Sequence, residues 1–175
     1  MGLKHCGKSS IGRFIADRKG FSFVDLDSLV MDRARGEGFA TIRQLYRTVG
    51  LQGFQEYELD ALRGLFNQRE GAGFILSLGG GMADNRTAMD LTKSCGKMVY
   101  LKVGELLLLE RILQGGLPPF LQGDDPPELI FHRMYKRRDA VYSQYADFIL
   151  ELPDQPLEKN RSLVYSVLKE EGYVR

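Results

Sequence analysis

Two cysteines in 175 residues are too few for a disulfide framework. Cys6 and Cys95 stand far apart and lack metal-ligand spacing, so both are expected as free thiols in a reducing, cytoplasmic setting. An excess of charge of either sign is also lacking. The 24 basic and 23 acidic residues leave a formal net charge of +1, which gives no electrostatic case for nucleic acid or an anionic membrane as partner. No apolar run approaches the ~20 residues that cross a bilayer, and no signal peptide, internal repeat or low-complexity tract is visible. The length suits one domain, residues 1–175, with a sizeable core.

What is present begins at the amino end. Gly2-Leu3-Lys4-His5-Cys6-Gly7-Lys8-Ser9 has the form G-x-x-x-x-G-K-S, a phosphate-binding loop. Its glycines let several backbone N–H groups turn inward on a polyanion. Lys8 can then reach the outer phosphates and the Ser9 hydroxyl can ligate Mg2+, with Ser10 following in the nucleotide-binding stretch. An amphipathic run carrying Ile11, Phe14 and Ile15 supplies the helix such a loop needs.

One part of the motif's usual setting is missing. A phosphate loop hangs from the end of a buried strand, and only Met1 precedes Gly2. The first, central strand of the sheet is therefore expected upstream of this start.

Short apolar runs and helical patterns alternate along the rest. Strands are predicted at 21–26, 74–78, 98–103 and 148–152, and helices at 53–68, 87–94, 105–113, 128–145 and 157–170. Residues 114–127, rich in glycine and proline, read as a loop or lid rather than a packed element. This order argues for an α/β fold, a parallel sheet covered by helices on both faces, in the three-layer manner of P-loop NTPases. Ligands in such sheets sit at the carboxyl ends of the strands.

Two further clusters fall at those ends. Asp25 and Asp27 lie two apart and would face the same way on an extended strand, or diverge at its end. One can hold Mg2+ through water while the other accepts a proton from a hydroxyl, as phosphoryl transfer requires. Gly79, Gly80 and Gly81 follow a buried strand, where bare backbone N–H groups can approach a ligand.

Taken with Phe54-x-x-x-Glu58, Val99-Tyr100-Leu101, Arg111, the proline-rich lid and Arg138-x-x-x-Tyr142, the chain resembles the shikimate kinase family over nearly its whole length. The resemblance implies ATP-dependent phosphorylation of the 3-hydroxyl of shikimate, with Mg2+, in the aromatic amino-acid pathway. It implies that Gly2, Gly7, Lys8, Ser9, Ser10 and Arg111 bind ATP, with Arg111 stacking on adenine, and that Ser9 and Asp25 serve the metal, Asp25 through water. It assigns the acceptor to Asp27, Gln55, Glu58, Gly79, Gly80, Gly81 and Arg138, with Lys8, Asp27 and Arg138 in catalytic roles. The implied molecule is a monomer in the cytoplasm.

At two positions the sequence departs from the family's pattern. Gln55 stands where the family has an arginine that helps to bind the carboxylate, and it cannot form a charged fork. Pro118 replaces a lid arginine, and no lysine or arginine occurs anywhere between 114 and 127. Lys4, Arg43 and Arg47 are candidate substitutes. A kinase for another small polyol lacking a carboxylate, or a nucleotide-binding relative without turnover, remain alternatives at this point.

Overall fold

The computed structural model describes residues 1–68 and 73–174. Helix α1 (Lys8–Lys19) leads into strand β1 (Ser22–Asp25), helix α2 (Leu26–Gly36) and helix α3 (Ile42–Gln68). Strand β2 (Phe74–Ser77), a 3-10 turn (Met82–Asp84) and helix α4 (Arg86–Cys95) follow. Then come β3 (Val99–Val103), α5 (Glu105–Leu113), a second 3-10 turn (Pro119–Leu121), α6 (Pro127–Tyr145), β4 (Phe148–Leu152) and α7 (Leu157–Glu170).

The pattern of alternating strands and helices is as expected. The ranges 105–113, 148–152 and 157–170 are recovered as drawn, and the other ends shift by a few residues. Two things differ. Helix α3 begins well before residue 53, because 42–49 forms a helical stretch that meets the rest at a bend. Gly50 makes the bend with φ 70°, a conformation closed to most side chains, so periodicity is lost there and the two parts do not read as one helix. Helix α2 starts directly at the end of β1, leaving Asp25 extended and putting Asp27 in a first helical turn.

All strand pairs are parallel, but the sheet is in two halves: β1 pairs with β2, and β3 pairs with β4. Between β2 and β3 runs a groove of about 350 Å3, lined by Phe74, Leu76, Val99 and Leu101 from the two facing strands and by Ile15 and Leu168 from helices. Met1 sits at one end of it. Its ammonium donates to the Val99 carbonyl at 2.7 Å, and its carbonyl accepts from the Leu101 N–H at 2.9 Å. That is the bonding of one residue in a parallel ladder with β3. Burial, outweighing the pull of nearby Cys6, lowers this ammonium to about 6.

The core spans both half-sheets. Tyr100 and Leu101 of β3, Leu150 of β4, Val24 of β1, Ile11 of α1, Leu62 of α3 and Phe131 and Tyr142 of α6 are all buried in it. No described helix is long and apolar enough to cross a membrane.

Candidate active site

The loop at residues 2–8 is held from below. Leu3 and Cys6 are buried, and the Cys6 N–H donates to the Leu3 carbonyl at 3.3 Å, closing a turn. Gly7 sits at φ 90° immediately before α1 and its carbonyl accepts from Ile11, so the curl passes directly into the helix. His5 also takes positive φ, at 67°, which is uncommon for a residue with a side chain and turns the backbone the same way. Gly2 lies against the sheet: a Cβ there would stand 2.7 Å from the Leu101 carbonyl oxygen. Lys8 opens α1, and its charge acts on His5 of the loop, on the Met1 ammonium and on Asp27.

Ser9 and Asp25 meet, as the motif requires. The Ser9 hydroxyl donates to Asp25 Oδ2 at 3.0 Å and lies 3.0 Å from the Ser77 hydroxyl at the end of β2. Ser10, one residue on, accepts from Arg161 Nη2 at 2.6 Å and Nε at 3.2 Å. Arg111 is ion-paired with Asp154 at 3.3 Å. It is near enough to the loop to act, with Lys4 and Lys8, on the His5 imidazole, which burial first and these charges next lower from its ordinary value.

A second pocket, of about 220 Å3, opens beside the loop. Its walls hold every acceptor residue expected from the sequence: Asp27, Gln55, Glu58, Gly79, Gly80, Gly81 and Arg138. Gly79 abuts Asp27, since a Cβ on it would come 2.8 Å from Asp27 Oδ1. Asp27 is open toward the pocket, yet enough protein surrounds it that burial, reinforced by Asp25, raises its carboxyl. Asp25 and Asp27 therefore diverge: Asp25 meets Ser9, while Asp27 lines the second pocket.

Glu58 lies behind the pocket, buried. Its Oε2 accepts from Asn85 Nδ2 at 2.9 Å, but burial prevails and pushes the carboxyl up to about 7, with Asp27 and Asp84 adding to the rise. Asn85 also donates to the Gln55 carbonyl and caps α4 by accepting from the Ala88 N–H. Gln55 donates its side-chain N–H to the Asp84 carbonyl at 2.6 Å, so it braces the turn after the triple glycine. Arg138 donates to the Gly80 carbonyl at 3.1 Å and to Asp84, and Tyr142, one helical turn on, donates to the same carbonyl at 3.1 Å.

The suggested substitutes fare unequally. Lys4 is exposed in the loop and close enough to lower the Asp27 carboxyl against the prevailing rise. Arg43 and Arg47 are exposed on α3, next to Ile42 and Tyr46, which do line the pocket. The stretch 114–127 is not wholly unpacked, because Pro119–Leu121 forms a 3-10 turn and Leu121 is buried in the core. Asp125 of this stretch is tied to Arg133 of α6.

Four residues of the site escaped the sequence: Ser77, Asp84, Asn85 and Arg161. Asn85 carried a signal, as an N-cap residue just ahead of a helical pattern. Ser77, Asp84 and Arg161 carried none, since their partners are remote in sequence.

Among the described residues no cluster of three His, Cys, Asp or Glu side chains could cage a metal. The Ser9 hydroxyl and the Asp25 carboxylate are hard oxygen donors, a set that suits Mg2+ sharing its shell with water and phosphate oxygens.

The model of the shikimate kinase family matches residues 4–169. A shikimate kinase of Stenotrophomonas maltophilia (strain R551-3) is 35% identical over 154 residues, covering 86% of this chain and 79% of that one. One of Aeromonas salmonicida (strain A449) is 30% identical over 155 residues, covering 89% and 86%. The structure of shikimate kinase from Acinetobacter baumannii in complex with shikimate superposes with a TM-score of 0.81 at 26% identity, covering 97% of this chain and 90% of that one. The chain belongs to the shikimate kinase family, ATP-dependent kinases that transfer a phosphoryl group to shikimate.

Proposed function

We propose that this chain phosphorylates the 3-hydroxyl of shikimate as a single-domain monomer with residues 114–127 as its lid. The observation that carries the reading is the abutment of the two sites. The triple glycine and Asp27, which line the acceptor pocket, sit directly beside the phosphate loop. Donor and acceptor would then share one cleft at the strands' carboxyl ends.

In this reading Gly2, Gly7, Ser9 and Ser10 hold the nucleotide phosphates through their backbone and Arg111 covers the adenine. Lys8 neutralises charge on the phosphoryl group in transfer. Asp27 accepts the proton of the 3-hydroxyl as its oxygen bonds to the γ-phosphorus and the bond to ADP breaks. Its raised carboxyl suits a group that takes up a proton. Gly79, Gly80 and Gly81 let the sugar ring lie against bare main chain, Gln55 and Glu58 shape the wall behind it, and Arg138 receives its carboxylate. Ser9, with Asp25 through water, would hold Mg2+, which would neutralise charge on the nucleotide's phosphates.

Shikimate-dependent ADP release in a coupled assay tests the proposal. Turnover confined to polyols without a carboxylate, or ATP binding with no turnover on any acceptor, contradicts it.

A further inference from the structure

Arg138 is the sole cation lining the acceptor pocket among the described residues, and it is already engaged. Its Nη2 and Nε donate to Asp84 Oδ2 at 2.7 and 3.2 Å, and its Nη1 is taken by the Gly80 carbonyl. The other oxygen of Asp84 faces outward and accepts from Arg137 Nη2 at 2.9 Å. One carboxylate thus bridges two consecutive arginines, Arg138 mostly enclosed and Arg137 64% exposed.

We propose that Asp84 is a removable cap on Arg138. It occupies the guanidinium while the pocket is free, withdraws to Arg137 when a carboxylate-bearing acceptor arrives, and so sets how tightly such an acceptor binds. The inference rests on the reading of Arg138 as the acceptor's carboxylate partner.

Three features support it. First, the main chain at Asp84 is fixed. Its N–H donates to the Gly81 carbonyl at 2.9 Å and its carbonyl accepts from Gln55 at 2.6 Å. Only the side chain needs to turn, and the turn keeps a cationic partner. Second, the pocket cannot hold both carboxylates cheaply. Asp84 is bonded to the guanidinium and Glu58 lies within its field, Asp27 lines the same pocket, and an acceptor's carboxylate would be a fourth acid there. Third, Asp84 is only partly buried, so releasing it from Arg138 strands no charge in a dry interior. Gln55 fits the same picture: its side chain holds the capping turn in place rather than offering a second charge to the acceptor.

The test compares wild type with Asp84→Asn and Arg137→Gln in steady-state assays. The acceptors are shikimate and the analogue whose carboxylate is reduced to a primary alcohol. Asp84→Asn is expected to lower KM for shikimate roughly three- to tenfold while leaving KM for ATP alone. It should not improve the alcohol. Arg137→Gln, a surface change that the fold tolerates, is expected to raise KM for shikimate, because Asp84 loses its outer partner. A purely structural role would not shift the two variants in opposite directions for one acceptor only. The cap is overturned if Asp84→Asn leaves KM for shikimate unmoved, if it improves both acceptors equally, or if the two variants move KM the same way. Absence of shikimate turnover in wild type as well overturns the acceptor reading, and the cap with it.

Discussion

The backbone nitrogen of Lys4 occupies the space a side chain on Gly80 would need: a Cβ there would fall 2.9 Å from it. The phosphate loop and the triple-glycine loop are thus packed main chain against main chain. Nothing flexible lies between them to absorb an added atom, so the contact fixes the two loops against each other.

Gly80→Ala is accordingly expected to cost about 1–3 kcal/mol of stability and to cut kcat/KM by at least about a hundredfold, by forcing the two loops apart. Gly81→Ala makes the contrast, since its Cβ would meet only the Arg138 guanidinium at an ordinary 3.6 Å. Urea midpoints and steady-state rates of the two variants check this. Equal midpoints for both would contradict it.

Glu58 makes a pH prediction. Folded, its carboxyl titrates near 7, while unfolded it returns to about 4.5. Between those values the folded chain holds the extra proton, so stability falls as pH rises through that window. Wild type should lose on the order of 2 kcal/mol from pH 5 to pH 8 that Glu58→Gln retains. Urea unfolding at the two pH values measures the difference, and parallel pH slopes for both proteins would contradict it.

The divided sheet makes a third prediction. An apolar segment of about five β-branched residues joined ahead of Met1 can fill the apolar groove between β2 and β3, which Met1 itself lines. It is expected to raise Tm by more than ~5 °C. A segment of the same length made of Asp and Lys should not, because the groove's walls are apolar. Equal shifts from the two segments would contradict the account.

The phosphate loop, Asp25, Asp27 and the triple glycine were legible because each is a local pattern whose chemistry depends on its own spacing. The helix at 105–113 and the strand at 148–152 were legible because their apolar periodicity runs unbroken between clear stops. The first half of α3 was not, since Gly50 interrupts its phase. The roles of Gln55 and Asp84 were hidden for a different reason. Each is set by a partner 29 or 54 residues away, and the identity of an uncharged Gln or a turn Asp gives no sign of it. The sequence showed that a charge was missing at residue 55. It could not show that the carboxylate at residue 84 is paired with the guanidinium at residue 138.

The most direct test of the central claim is the product itself. Phosphorus NMR on wild type with ATP, Mg2+ and shikimate should show the phosphate monoester of the 3-hydroxyl appearing as ADP accumulates. Lys8→Ala should slow this by about a thousandfold or more, while far-UV circular dichroism shows the fold kept. No phosphate ester from wild type, or undiminished formation by Lys8→Ala, would contradict the account.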